Sequence, residues 1–276
     1  MTCHDGIEQV HSSIPEGKCV VCHGGDGEAT TEATAHVAVP ANYLEIRGDG
    51  LPPAPDGYIK DLAADQLGAL DPDFLRFKNP GDIRVADQTC AQCHPDHVAQ
   101  QKNSVMTTNA GHYMPTLFLA GMQDRDAIYG SYGATDPECE NAEPTEDGAV
   151  CELTTLVPPP HEDFQAAVDA GDLDTVNEIA YAHYLSKNCG TCHQAGSGKD
   201  RSAHLYRSTG CTACHMVMSK DGVYEGNDPT ISKSPPTHVK EHVITKAIPT
   251  EQCATCHFQG GRIGILFRGL REGGFS

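Results

Sequence analysis

The chain has 276 residues, of which 38% are hydrophobic, and it contains no Trp. Globular chains average about 45–50% apolar residues, so a self-sufficient aliphatic core is hard to build here and we expect another source of apolar bulk. The net charge of −19 argues against nucleic acid and against anionic lipid headgroups as partners, and no stretch approaches the roughly 18 consecutive apolar residues of a membrane helix.

Regular structure is expected to be sparse, because 28 Gly and 18 Pro interrupt most of the chain. Four segments have the residue pattern of regular structure. In chain order these are a short helix around 59–67, a helix over 174–187, a helix that follows Pro235-Pro236 to about 246, and a short strand at 262–267. Asp174 is the predicted N-cap of the second helix. The predicted fold class is therefore mostly coil with short α-helices and few or no strands.

The pattern C-x-x-C-H occurs five times, whereas a shuffled chain of this composition would contain it roughly 0.03 times. This spacing is typical of covalent haem attachment: one tight turn presents two thiols to the two vinyl groups of a porphyrin, and the following His lies under the iron as its proximal ligand. A zinc half-site or a redox disulfide leaves the recurring His unexplained. We therefore predict five haems c, bound at Cys19, Cys22 and His23; Cys90, Cys93 and His94; Cys189, Cys192 and His193; Cys211, Cys214 and His215; and Cys253, Cys256 and His257.

The N-terminus carries a sixth candidate. Cys3 and His4 match the end of a C-x-x-C-H motif whose first Cys would lie one position before Met1. On this interpretation Cys3 attaches a sixth haem and His4 is its proximal ligand; the alternative is an unrelated Cys-His pair. The first five residues also lack the basic and apolar regions of a signal peptide. Because haem is attached to C-x-x-C-H outside the cytoplasm, we expect a processed or cropped chain whose export signal has been removed.

Each haem iron needs a sixth ligand or keeps an open face, and ten of the 15 histidines lie outside the five motifs. Bis-His ligation is therefore expected, and it suits electron transfer rather than catalysis because it leaves no vacant position on the iron. His238 and His242 are four residues apart on a predicted helix, so we expect them to share a face and to serve two haems of the C-terminal cluster. The further candidates are His183, on the helix that leads into the Cys189 motif, then His112 and His36.

The motifs divide the chain into three predicted parts: an N-terminal haem-binding part over 1–135 with two or three haems, a linker over 136–160, and a C-terminal triple-haem part over 161–276. The linker is acidic and rich in Pro, Gly and Asn, which is typical of a surface loop, and it ends in a stiff run of three prolines. Cys139 and Cys151 belong to no motif. In an exported protein we expect them to form a disulfide that closes the loop; two free thiols are the alternative.

Four segments of the C-terminal third resemble the C-terminal haem-binding part of large multihaem cytochromes from metal-reducing bacteria. They are 184–189 (YLSKNC), 206–211 (YRSTGC), 248–253 (IPTEQC) and 258–264 (FQGGRIG). The resemblance covers roughly residues 180–270, and the N-terminal half matches only through its C-x-x-C-H motifs. It implies an outer-surface or periplasmic electron carrier, of a kind that in some members polymerises into filaments, with His238 and His242 as distal ligands. Those relatives are often longer, so this chain is expected to be a portion of a larger protein.

The sequence thus predicts a multihaem cytochrome c architecture, in which a mostly coil chain is organised around a haem chain and held by thioether and iron–His bonds. The Cys189 and Cys211 motifs are the expected closest pair. The predicted function is electron transfer in an extracytoplasmic location, at the cell surface, outside the cell or in the periplasm. Other cytochromes, copies of the chain itself in a filament, or a metal oxide are the expected partners. The alternative is a multihaem oxidoreductase that acts on a small nitrogen or sulfur compound at one open-faced haem.

Overall fold

The computed structural model consists of short helices joined by coil, together with two small sheets. The predicted class of short helices and coil with few strands is therefore confirmed. None of the helices in the ranges that the structure describes is long and apolar enough to cross a membrane. The predicted helix around 59–67, the predicted strand at 262–267 and both linker cysteines, Cys139 and Cys151, lie outside those ranges. The structure describes residues 4–15, 18–41, 71–108, 113–121, 129–130, 134–135, 152–155, 161–188, 210–219, 223–234 and 240–257.

The first part of the chain supplies short helices and the main aliphatic cluster. Asp71 begins the third helix, since its carboxylate accepts a hydrogen bond from the Phe74 N–H at 3.0 Å and Pro72 occupies the first turn. Phe74 and Ile83 are fully buried in this cluster. The helices are α1 (Val20–His23), α2 (Glu32–Ala35), α3 (Pro72–Lys78), α4 (Pro95–Lys102), α5 (Val105–Thr108) and α6 (Tyr113–Leu119), with 3₁₀ segments at Ile83–Gln88 and Cys90–Gln92.

Three strands that the sequence did not predict border the acidic linker. They are β1 (Tyr129–Gly130), β2 (Ala134–Thr135) and β3 (Glu152–Thr155). β3 lies between the other two, parallel to β1 and antiparallel to β2. The linker residues 136–151 themselves lie outside the described ranges.

Two helices, α7 (His161–Ala170) and α8 (Leu173–Asn188), pack against each other as a hairpin. α8 confirms the predicted helix over 174–187. Its N-cap is Asp172 rather than Asp174, because the Asp172 carboxylate accepts from the backbone N–H of Thr175 at 3.2 Å and from its hydroxyl at 2.7 Å. The apolar residues at helical spacing, Ile179, Ala182 and Leu185, are buried.

The C-terminal part contains α9 (Thr212–His215), β4 (Met216–Met218), β5 (Lys240–Ile244) and α10 (Thr250–His257). β4 and β5 are antiparallel, with Met216 opposite Ile244. The predicted helix from 235 to 246 is therefore wrong from residue 240 onward. The physical reason is pairing: β5 bonds to β4, and the Ile244 N–H also donates to the Val10 carbonyl at 3.0 Å. Backbone groups of β5 are therefore satisfied by β4 and by the N-terminal segment instead of by a helical turn.

Candidate functional site

Each C-x-x-C-H motif whose side chains the structure describes forms a single helical turn. In each of them the backbone N–H of the His donates to the carbonyl of the first Cys, and this bond brings both cysteines and the His to one side of the turn. The six cysteines are free thiols, so none of these motifs is a closed redox disulfide. The closing bonds are His23 to Cys19 at 2.8 Å, His94 to Cys90 at 2.8 Å and His215 to Cys211 at 3.0 Å.

The remaining predicted haem ligands are only partly described. The fifth motif lies on α10, where Cys253 is an exposed free thiol, and the side chains of Cys256 and His257 fall outside the described part. His183 lies on α8. His97 stacks beside His94, with ring centres 5.8 Å apart and planes 5° apart. The predicted residues Cys3, His112, Cys189, Cys192, His193 and His238 lie outside the described residues.

Two of the motif imidazoles are oriented through Nδ1 by a backbone carbonyl. Nδ1 of His23 lies 2.5 Å from the Phe77 oxygen, and Nδ1 of His215 lies 2.9 Å from the Thr245 oxygen. A carbonyl can only accept, so Nδ1 carries the proton and the lone pair of Nε2 is left for a metal. Burial lowers the pKa of His23, although the bond to Phe77 acts in the opposite direction. The pKa is lowered overall, which favours the neutral form of His23, the form that binds metal.

Two pairs of histidines have the separation of axial ligands on one iron. With metal–nitrogen distances of about 2.0 Å and roughly 1.1 Å from each nitrogen to its ring centre, two imidazoles on opposite sides of a metal have centres about 6.2 Å apart. The ring centres of His23 and His242 are 6.3 Å apart, and those of His4 and His36 are 6.2 Å apart. Haem iron, with four porphyrin nitrogens between two imidazoles, fits this arrangement.

The first pair changes one expectation from the sequence. His242 was expected to serve the C-terminal cluster from a helix, but it lies on β5, next to the His of the first motif. The strand carries His242 there because β5 runs alongside the N-terminal segment: the His242 N–H donates to Oε1 of Glu8 at 2.6 Å. His238 lies outside the described residues, so its predicted role stays a prediction.

Helix α3 holds the first motif in place. The Arg76 guanidinium donates to the carbonyls that end the motif turn, at 2.9 Å to Val21 and 2.9 Å to Cys22, with a longer contact of 3.4 Å to Val20. Cations are favourable at the carbonyl end of a helical turn. The neighbouring Phe77 ring lies between the two histidine pairs, 4.9 Å from the ring of His36 and 6.4 Å from that of His23.

The second and fourth motifs touch each other. The Cys211 N–H donates to the Gly81 carbonyl at 2.8 Å, and Gly210 permits this approach because it adopts φ +60° and any Cβ on it would lie 1.9 Å from that oxygen. The thiols of Cys90 and Cys211 interact: each is the main cause of the other's shift, which lowers the pKa of Cys90 and raises that of Cys211. The close pair in the described part is thus Cys90 and Cys211; the predicted pair of the Cys189 and Cys211 motifs falls outside it.

The N-terminal segment joins the two histidine pairs through a hydrogen-bond network. Glu8 accepts from the N–H of Asn227 at 2.8 Å and from the hydroxyl of Tyr224 at 3.3 Å. Burial raises the pKa of Glu8, but the backbone donors outweigh it and hold the pKa below its ordinary value. Burial also raises the pKa of Tyr224 to about 12, so the phenol keeps its proton. The Tyr224 oxygen in turn accepts from the N–H of Asp228 at 3.2 Å, and Oδ2 of Asp228 lies 2.7 Å from Nδ1 of His4.

Sequence reasoning missed the residues that support these histidines: Arg76, Phe77, Glu8, Thr245 and Asp228. In the described part of the chain no group of three or more His, Cys, Asp or Glu side chains could hold a metal ion without other ligands.

No protein-family model, curated protein or solved structure matches this chain.

Proposed function

We propose that the chain is a multihaem c-type cytochrome that carries electrons outside the cytoplasm, with haem c at its five C-x-x-C-H motifs. The observation that carries the proposal is the pairing of His23 with His242. One ring belongs to a motif whose Nδ1 is held by a carbonyl, and the other reaches it from a distant strand at the separation of two axial ligands.

The donor set fits haem c in each described motif. Cys19 and Cys22 would form the two thioether bonds of the first haem, and His23 and His242 would be its axial ligands. Cys90 and Cys93 with His94, and Cys211 and Cys214 with His215, offer the same donors on the same turn. When bound, haem iron supplies reversible one-electron oxidation and reduction.

The protein residues then have three tasks. His23 and His242 would hold one iron between them, which favours a carrier over an enzyme because no position on that iron would be left for a substrate. The carbonyls of Phe77 and Thr245 keep the Nδ1 proton in place and so fix the imidazole orientation. The backbone contact at Gly81 and Gly210 holds two attachment turns close together, as a short electron-transfer distance requires.

The composition supports the same conclusion. The chain is poor in apolar residues, and few of the described apolar side chains are fully buried. Porphyrins would supply the missing apolar surface, giving an architecture organised around a haem chain. The cysteines of Cys3–His4 and of the motif around Cys189 would extend this chain beyond the described residues.

The haem-attachment motifs and the net charge support a location and partners for the chain. Haem attachment to C-x-x-C-H belongs to extracytoplasmic compartments, so we propose the periplasm, the cell surface or the exterior. The net charge of −19 favours partners with a positive contact surface. Other cytochromes, further copies of this chain in a filament, or a metal-oxide surface are the proposed partners.

Intact mass and absorbance of the purified holoprotein test the proposal. We expect a Soret band, and a mass that exceeds the 29.5 kDa polypeptide by five or six haems. The double variant C90S/C93S should lose one haem, whereas serine at Cys139 and Cys151, which belong to no motif, should lose none. A colourless protein with the mass of the bare polypeptide would refute the proposal.

A further inference from the structure

We propose that Asp228 gives the iron site between His4 and His36 the lowest reduction potential among the three sites whose Nδ1 acceptors are described. The inference rests on the proposed function, and it assigns a sixth haem to this pair. The sites differ in the group that accepts the Nδ1 proton of the histidine, on the side of the ring away from the iron.

The three oriented imidazoles have different acceptors. His23 faces the Phe77 carbonyl and His215 faces the Thr245 carbonyl, and both acceptors are neutral. His4 faces the carboxylate of Asp228, with Nδ1 and Oδ2 2.7 Å apart. A carboxylate draws the Nδ1 proton toward itself and makes the imidazole a stronger electron donor. A stronger donor stabilises the ferric state, which carries the higher charge, and so lowers the potential.

The burial and the hydrogen bonds of Asp228 suit it to act on His4. Its side chain is 3% exposed, so water screens its charge little. Its other oxygen, Oδ1, accepts from the N–H and the hydroxyl of Thr230 at 2.8 and 2.7 Å. These bonds fix the carboxylate and leave Oδ2 directed at His4.

Charges of both signs lie near the other sites. Buried Asp82 acts on Cys211 of the fourth motif but is paired with Arg84 at 3.1 Å, and the Lys78 charge acts on His23 and His36 alike. The Arg76 guanidinium lies on the carbonyl end of the first motif, and the buried Lys240 ammonium donates to the Thr212 carbonyl of the fourth at 2.8 Å; both cations favour ferrous iron. Glu8 approaches Nδ1 of His242 to 3.8 Å, beyond hydrogen-bond distance, and its oxygens accept from backbone N–H groups. Glu32 lies 3.8 Å from Nδ1 of His36, but its side chain is 85% exposed.

An EPR-monitored redox titration of the full holoprotein tests the assignment. His36→Ala removes one axial ligand and should turn one iron high-spin, which labels the transition of this site. Asp228→Asn, made in the His36→Ala background, keeps the shape but removes the charge, and should raise the potential of that transition by about 59 mV, a tenfold change in a one-electron equilibrium.

Glu32→Gln is the matched control, since it removes a carboxylate near the same pair from an exposed position. A shift confined to the labelled transition in Asp228→Asn, with little change in Glu32→Gln, supports the proposal. Equal shifts in the two variants, or no shift in Asp228→Asn, overturn the role of Asp228. Iron that stays wholly low-spin in His36→Ala overturns the pairing, while the remaining haems would still be present if the proposed function is right.

Discussion

Gln252 and Ala213 are joined by a hydrogen bond of 2.6 Å that links the fifth C-x-x-C-H motif to the fourth. Gln252 immediately precedes Cys253 and is 5% exposed. Its Oε1 also accepts from the Met218 N–H at 3.0 Å. One buried amide therefore fixes the start of α10 against both the motif turn of α9 and the strand β4 that follows it.

Gln252→Leu should lower the free energy of unfolding by about 2–4 kcal/mol, because it removes the three hydrogen bonds of a buried amide, to the carbonyls of Ala213 and Met216 and to the N–H of Met218. Urea unfolding of the holoprotein measures this. Glu251→Ala, at the exposed neighbouring position, is the control and should change the value by less than about 0.5 kcal/mol. Similar values for the two variants would show that the amide does not connect the motifs.

On the proposed function, His242→Ala should convert one iron per chain from low-spin to high-spin, because it removes the second histidine proposed for the first haem. EPR at low temperature counts the high-spin signal, and the haem content should be unchanged since the thioether bonds remain. Val243→Ala changes the adjacent, exposed residue of the same strand and should leave all irons as they are. An unaltered spectrum in His242→Ala would show that His242 does not bind the iron of the first haem.

Gly210→Ala should destabilise the protein by more than about 3 kcal/mol, because the new Cβ would meet the Gly81 carbonyl in addition to adopting positive φ. Gly121 isolates the second effect: it has φ +75° with nothing within 4 Å of an added Cβ, so Gly121→Ala should cost only about 1–2 kcal/mol. Denaturant unfolding compares the two. Equal losses would mean that the contact between the second and fourth motifs contributes little.

Because of Asp172, we expect the stability of the N-terminus of α8 to depend on pH. The hydroxyl and N–H of Thr175 hold the pKa of Asp172 below its ordinary value. Such a carboxylate adds stability above its unfolded pKa of about 3.9, and this stability is lost as the pH falls through the lower folded value. Far-UV circular dichroism should show less acid loss of helix in Asp172→Asn, whose amide caps without titrating, than in Asp174→Asn. The same acid profile for both variants would contradict the cap.

The sequence predicted the helix α8 correctly and the strand β5 wrongly, because local spacing decides the first and distant pairing decides the second. Ile179, Ala182 and Leu185 follow the helical period, and α8 is long enough for local spacing to decide its structure. The His238–His242 spacing fits one helical face, but residues 240–244 pair with β4 and with the N-terminal segment. Such pairing comes from residues far along the chain, which local spacing does not contain.

The candidate site shows the same division. The Cys and His of each motif are adjacent in sequence, so the motif alone predicted the turn that the structure has. The partners of those histidines are not adjacent: the Phe77 carbonyl, Asp228 and His242 reach them from other elements. A backbone carbonyl acceptor leaves no residue signal at all, and Asp228 is one of 38 acidic residues.

The pairing of His23 with His242 joins two parts of the chain that are made at different times. A ribosome makes the chain from its N-terminus, so Cys19, Cys22 and His23 emerge long before β5 does. On the proposed function, a haem could be joined to the two thiols at that stage, whereas the second histidine for its iron would arrive only with β5. A product that stopped short of β5 would therefore be pigmented and would hold an iron open to dioxygen and other small ligands.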